Sequence, residues 1–141
     1  MFFIFAALIF YTAAILLGAF ASRRADTNLV AGITNAISAM LPLGVVLVSM
    51  ARKPLQSQRI GLMAAVAGGV AIALFAMAIN KSFTTDKVAI VTPVVFGGAI
   101  VLSTVLGSWL FREKITTVQS VGLILMTTGL VAITYAKATG K

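Results

Sequence analysis

Cysteine and histidine are both absent from the 141 residues. Their absence removes disulfides, thiol nucleophiles and the commonest metal ligand. Acidic residues are nearly absent too, limited to Asp26, Asp86 and Glu113. Paired-carboxylate and triad chemistry therefore lack parts, and the expectation is a chain that is no enzyme and holds no metal or cofactor. Charge of any sign is scarce, with 11 basic and 3 acidic residues. A soluble domain of this size needs far more to cover its outside. The net charge of +8 comes from basic residues set in ones and twos between apolar runs. They form no stripe, which argues against nucleic acid and for Lys and Arg meeting lipid headgroups at the ends of membrane spans.

What the chain has in abundance is apolar length. Hydrophobic residues make up 60%, and the mean hydropathy is +1.09. Charged residues divide the sequence into five uncharged runs, residues 1–22, 27–51, 60–80, 88–111 and 115–136. A helix rising about 1.5 Å per residue needs roughly 20 residues to cross the hydrocarbon core, so each run can span once. In lipid the backbone must satisfy its own hydrogen bonds, and segments of this length do so as helices. The prediction is an all-α membrane protein, a five-transmembrane-helix bundle in one domain, with spans over about 2–22, 29–51, 60–80, 88–111 and 116–136. Connectors at 23–26, 52–59, 81–87 and 112–114 are short enough to make consecutive helices antiparallel neighbours. Residues 19–22, Ala-Phe-Ala-Ser, resemble a signal-peptidase site, but no basic residue precedes the first apolar run. The first span is therefore expected to be retained.

Polar and small residues mark faces on these helices. Gly61, Ala64, Gly68, Ala71 and Ala78 put a smooth stripe along the third span, where another helix can approach closely. Asn28, Gly32, Asn35, Ala39 and Pro42 share a face of the second, with Ser38 beside it. An amide at the depth of Asn35 is costly against lipid, so it should face inward, either to bond another helix or to meet a solute. Pro93 removes a backbone hydrogen bond near the start of the fourth span and Gly97-Gly98 adds compliance, which predicts a kink or hinge. Bent spans are where transporters commonly place solute contacts. Trp109 with Arg112 reads as an interfacial anchor. Thr116 and Gln119 have capping-box spacing at the start of the fifth span, and Gly122 and Gly129 lie two turns apart on one of its faces.

The segment FREKITTVQSVG over 111–122, followed by LILMTTG over 123–129, resembles the last connector and helix of an EamA-type repeat of the drug/metabolite transporter superfamily. AMAINKSFTTDKVAIVTP over 76–93 is similar to that repeat's passage from third to fourth helix. Glu113 and Pro93 sit at the family's glutamate and proline positions. The Gly122 and Gly129 spacing resembles the helix through which small multidrug resistance proteins dimerise. The likeness covers about residues 60–136 and is vaguer over the first two spans. It departs at one point: small multidrug resistance proteins carry a glutamate inside the first helix, whereas this first span has only Tyr11 and Thr12 as mid-membrane polar groups. The resemblance therefore implies transporter ancestry without carboxylate-based proton exchange.

Most transporters of that superfamily join two five-helix repeats that insert upside down relative to each other. One repeat implies completion by an inverted homodimer or by a separate partner subunit. The expected function is a small-molecule permease or exporter of the cell membrane (inner or plasma), working by alternating access on an unidentified solute. Tyr11, Asn35, Ser38 and Pro93 are the expected path-facing set, and Gly61, Gly68, Gly122 and Gly129 the packing positions. A flippase component for lipid-linked sugars and a non-transporting membrane partner are the competing readings. Basic residues at 23, 24, 81, 87, 137 and 141 fall on one side of five spans, and those at 52, 53, 59, 112 and 114 on the other. Six against five is scarcely a bias, so insertion in both orientations is expected.

Overall fold

The computed structural model describes residues 2–50 and 58–140. The end of the second predicted span at Ala51, most of the connector after it, with Arg52, Lys53 and Ser57, and Lys141 lie outside the described residues. Five helices are long and apolar enough to cross a membrane. They are α1 (Phe2–Ser22), α2 (Thr27–Met50), α3 (Arg59–Thr85), α4 (Val88–Phe111) and α5 (Thr117–Thr139). Among the described residues there is no strand. By contacts the chain divides into two compact units, one ending at Thr85 and one beginning at Asp86.

The helix ends follow local chemistry. Asp26 Oδ1 accepts from the backbone amides of Asn28 and Leu29 at 2.9 and 3.0 Å, so one of the three acids is spent capping α2. Pro42 sits inside α2 without ending it. Thr116 and Gln119 form the reciprocal capping box that their spacing predicts. Gln119 N donates to Thr116 Oγ1 at 3.3 Å, and Thr116 N donates to Gln119 Oε1 at 2.8 Å. At the far end of α5, Gly140 takes the left-handed conformation at φ 69° and closes the helix.

The third helix runs past the charge that bounded its apolar run, through Lys81 to Thr85. Lysine is a good helix former, and its long stem lets the ammonium reach water from within a helix, so a charge ends a hydrophobic run without ending the helix. The link to α4 is accordingly only Asp86-Lys87.

In the first unit the buried residues gather at one end. They are Ala19 and Ser22 late in α1, Val30 and Ala31 early in α2, and Ile79, Asn80 and Phe83 late in α3. No residue of 3–18, 32–50 or 58–78 is buried. In the second unit α4 packs on α5, and Asp86 Oδ1 pairs with Lys137 Nζ at 2.7 Å, tying the start of one helix to the last turn of the other. Both partners are partly exposed, so the pair contributes at most about 1 kcal/mol. Most large apolar side chains of both units are exposed. That is the surface of a chain solvated by lipid or by another chain.

The span assignment makes a direct expectation for solvent access. Single cysteines at Ala25, Thr85 and Thr117, which lie at or beyond helix ends, should react with a membrane-impermeant maleimide at least tenfold faster than one at Ala71, which is well inside α3. Equal reactivity at position 71 would put α3 in water and end the five-span assignment. Ser57, the other connector position suited to this experiment, lies outside the described residues.

Candidate functional site

The fourth span is where the helix pattern breaks. It is α-helical over Val88–Thr92, π-helical over Pro93–Gly97 and α-helical again over Gly98–Phe111. Proline has no N–H to donate and its ring crowds the preceding turn, so the chain widens into a π turn instead of keeping the regular ladder. The kink expected at Pro93 with Gly97-Gly98 thus takes the form of a one-turn widening. Residues 92–98 are all half-buried, and the π turn lies against α5. Contact is closest at Gly97, where an added Cβ would come within 2.8 Å of Leu130 Cδ2. Gly98, next in sequence, has nothing within 4 Å of that position. The two glycines, alike in the sequence, have different work.

Thr92 stands at the head of this turn, and its Oγ1 is buried with no hydrogen-bond partner. Hydroxyls elsewhere in these helices bond back to a carbonyl three or four residues earlier. Thr12, Ser22, Thr104, Thr127, Thr128 and Thr134 do so at 2.8 to 2.9 Å. An unmade hydrogen bond in a dry place costs about 1–3 kcal/mol, so an orphan here needs a reason. π turns and Pro breaks are also where helices commonly carry function. No sequence rule singled out Thr92 from the other threonines. Its position just before Pro93 was the available signal.

The expected path-facing residues have other occupations. Asn35 is half-buried, and its Nδ2 donates to the Ala31 carbonyl of its own helix at 2.9 Å. Ser38 is exposed and its Oγ donates to the Asn35 carbonyl at 3.0 Å. Both have thus met part of their hydrogen-bonding need locally, as polar groups in apolar helices do. Tyr11 is 48% exposed on α1. Pro93 belongs to the second unit, at the π turn. The more deeply buried amide is Asn80, 6% exposed, near the end of α3.

The packing glycines Gly61, Gly68, Gly122 and Gly129 are exposed, and none has another atom within 4 Å of where a Cβ would stand. Within the chain they pack against nothing. Trp109 is 81% exposed close to the end of α4, and Arg112 closes that helix in the left-handed conformation at φ 55°. A non-glycine residue there costs about 1 kcal/mol of backbone strain. The guanidinium lies just past the apolar run, where it can meet headgroups. Among the described residues, no group of three or more His, Cys, Asp or Glu could hold a metal ion. Comparison with protein-family models, with curated proteins and with solved structures returns no match.

Proposed function

We propose that the chain is one half of a small-solute transporter of the cell membrane, completed by a second copy inserted in the opposite orientation and working by alternating access. The observation that carries this reading is the break in α4: a π turn at Pro93–Gly97 headed by the buried, unpartnered hydroxyl of Thr92. A rigid membrane anchor gains nothing from a widened turn and an orphan hydroxyl. A helix that must flex and offer a polar group to a passing solute gains both. The apolar surface left open along the helices and the near-even split of basic residues fit a chain that pairs with an inverted copy. Every acid lies in a connector, and Asp26 and Asp86 are held there by a helix cap and an ion pair, so transport in this reading does not run on an embedded carboxylate.

Reconstitution into liposomes with a panel of radiolabelled small solutes tests the reading, and Thr92→Val sharpens it. Valine keeps the shape and removes the hydroxyl. Uptake should fall about three- to tenfold, the worth of one lost hydrogen bond. Thermal stability should hold or rise, because the orphan group is gone. Uptake unchanged in the variant, or no solute of the panel carried, counts against a transport path at the π turn. The local hydrogen bonds of Asn35 and Ser38 favour a second reading, a non-transporting membrane partner. That reading gains if Thr92→Val raises stability and no solute moves.

A further inference from the structure

We infer that the packed end of the first unit is a gate, held shut by an arginine strap and loaded toward opening by the amide of Asn80. The inference rests on the transport reading for its purpose and on the first unit alone for its geometry.

Three observations converge on it. The first is where the packing lies. Late α1, early α2 and late α3 supply Ala19, Ser22, Val30, Ala31, Ile79, Asn80 and Phe83, all buried, while residues 3–18, 32–50 and 58–78 contribute none. Three membrane-length helices held together at one end only can part there without breaking a continuous core.

The second is the fastening. Arg23 Nε donates to the Phe83 carbonyl at 3.3 Å, joining the exit of α1 to the last turns of α3. That carbonyl is among the last four of α3, which have no partner within their own helix. Beside it the Arg24 guanidinium lies 3.7 Å over the centroid of the Phe20 ring. The strap lies at the end of the helices, within reach of water, where a hydrogen bond can be exchanged at little cost.

The third is the load. Asn80 is 6% exposed, and its amide makes no hydrogen bond to another described residue. Its Oδ1 lies 3.7 Å from where a Cβ on Gly18 would stand, so α3 presses this amide onto the one position of late α1 that has no side chain. Asn35 shows the alternative, since its amide bonds to a carbonyl one turn earlier on its own helix. Asn80 forgoes that bond in the closed arrangement, and water supplies its partners when the helices part. A group unsatisfied when shut and hydrated when open lowers the free energy of opening. The polar residue the sequence placed in a solute path was Asn35. The amide that opening would uncover is Asn80.

The test is labelling of Ser22→Cys, a near-isosteric change at a position 3% exposed, with a membrane-impermeant maleimide on the full chain in liposomes. Ala25→Cys, exposed in the same connector, is the reference, and the native chain has no cysteine to interfere. The thiol at 22 should react at least tenfold more slowly than that at 25, at a rate set by opening. Adding Asn80→Leu, which keeps the branching and removes the polar atoms, should slow it by a further five- to hundredfold. Adding Arg23→Lys, which keeps the charge and loses the guanidinium strap, should speed it. Equal reactivity at 22 and 25, or a rate that Asn80→Leu leaves unchanged or raises, overturns the gate. Should the leucine variant fail to fold, an unchanged rate in Arg23→Lys overturns it equally. Labelling needs no solute, so a failed transport assay beside the expected rates removes the transport reading and leaves the gate standing.

Discussion

Replacing Gly97 with valine should destabilise the second unit by an amount toward the upper end of about 1–3 kcal/mol, the usual range for overpacking. The cause is specific. A Cβ at position 97 meets Leu130 Cδ2 at 2.8 Å and Cγ at 3.5 Å, so two further methyl groups have no space unless α4 and α5 move apart. Alanine is the graded case. The atom it strikes is the far end of a leucine side chain, and a rotamer change at Leu130 relieves most of the clash. Against the remainder stands the gain of about 1 kcal/mol that alanine brings over glycine inside a helix. Gly97→Ala should therefore come out near neutral. Gly98→Ala, with nothing within 4 Å, should keep the whole gain. The decisive measurement is a cycle with Leu130→Ala, followed by thermal unfolding in detergent. Trimming Leu130 costs its own packing, but Gly97→Val on that background should lose most of its penalty. Equal penalties with and without Leu130 would mean that valine acts through helix propensity at the π turn, and that the close approach of α4 to α5 is not what requires glycine.

The pair Gly97-Gly98 also shows how far the sequence was legible. The helices could be read because charge is so rare that five uncharged runs stand out, each long enough to span. Their capped ends could be read where the cap is a local motif, as at Thr116 and Gln119. Where an end depends on something other than charge, the reading slipped. Lys81 ended an apolar run but not α3, because its stem carries the charge along the helix to water. Asp26 looked like a lone connector acid and is a helix cap. Pro93 announced a break, but its width, one π turn ending at the close contact with Leu130, depends on a helix some thirty residues away in sequence. The candidate site was harder still. Asn35 and Asn80 are the same residue type in comparable apolar surroundings, and only the packing decides which amide bonds to its own helix and which is pressed against Gly18. Periodicity gives the face a residue occupies. It does not say at which end of that face three helices meet.

That limit bears directly on Gly122 and Gly129, the glycines that spacing marked for a close helix crossing. Nothing in the chain approaches either within 4 Å, and their face of α5 is exposed. Leucine at both positions should therefore leave the chain's own fold intact, and inside a helix it should add about 1 kcal/mol of stability or somewhat more through propensity. If two copies meet along this face, the same change drives their backbones apart. Close approach is what lets small residues associate helices in lipid, where no hydrophobic force between helices replaces the lost contact. The double variant Gly122→Leu with Gly129→Leu should accordingly lower dimer affinity at least tenfold, read by energy transfer between labelled copies in liposomes across a dilution series. Thermal unfolding of the same variant should be unchanged or later. Gly61→Leu with Gly68→Leu, on the equally open stripe of α3, is the control that separates one crossing face from general crowding. Loss of association in the α5 variant alone, with the fold unharmed, places the pairing on α5. Full association in both variants removes both glycine faces from the dimer and leaves lipid as what covers them.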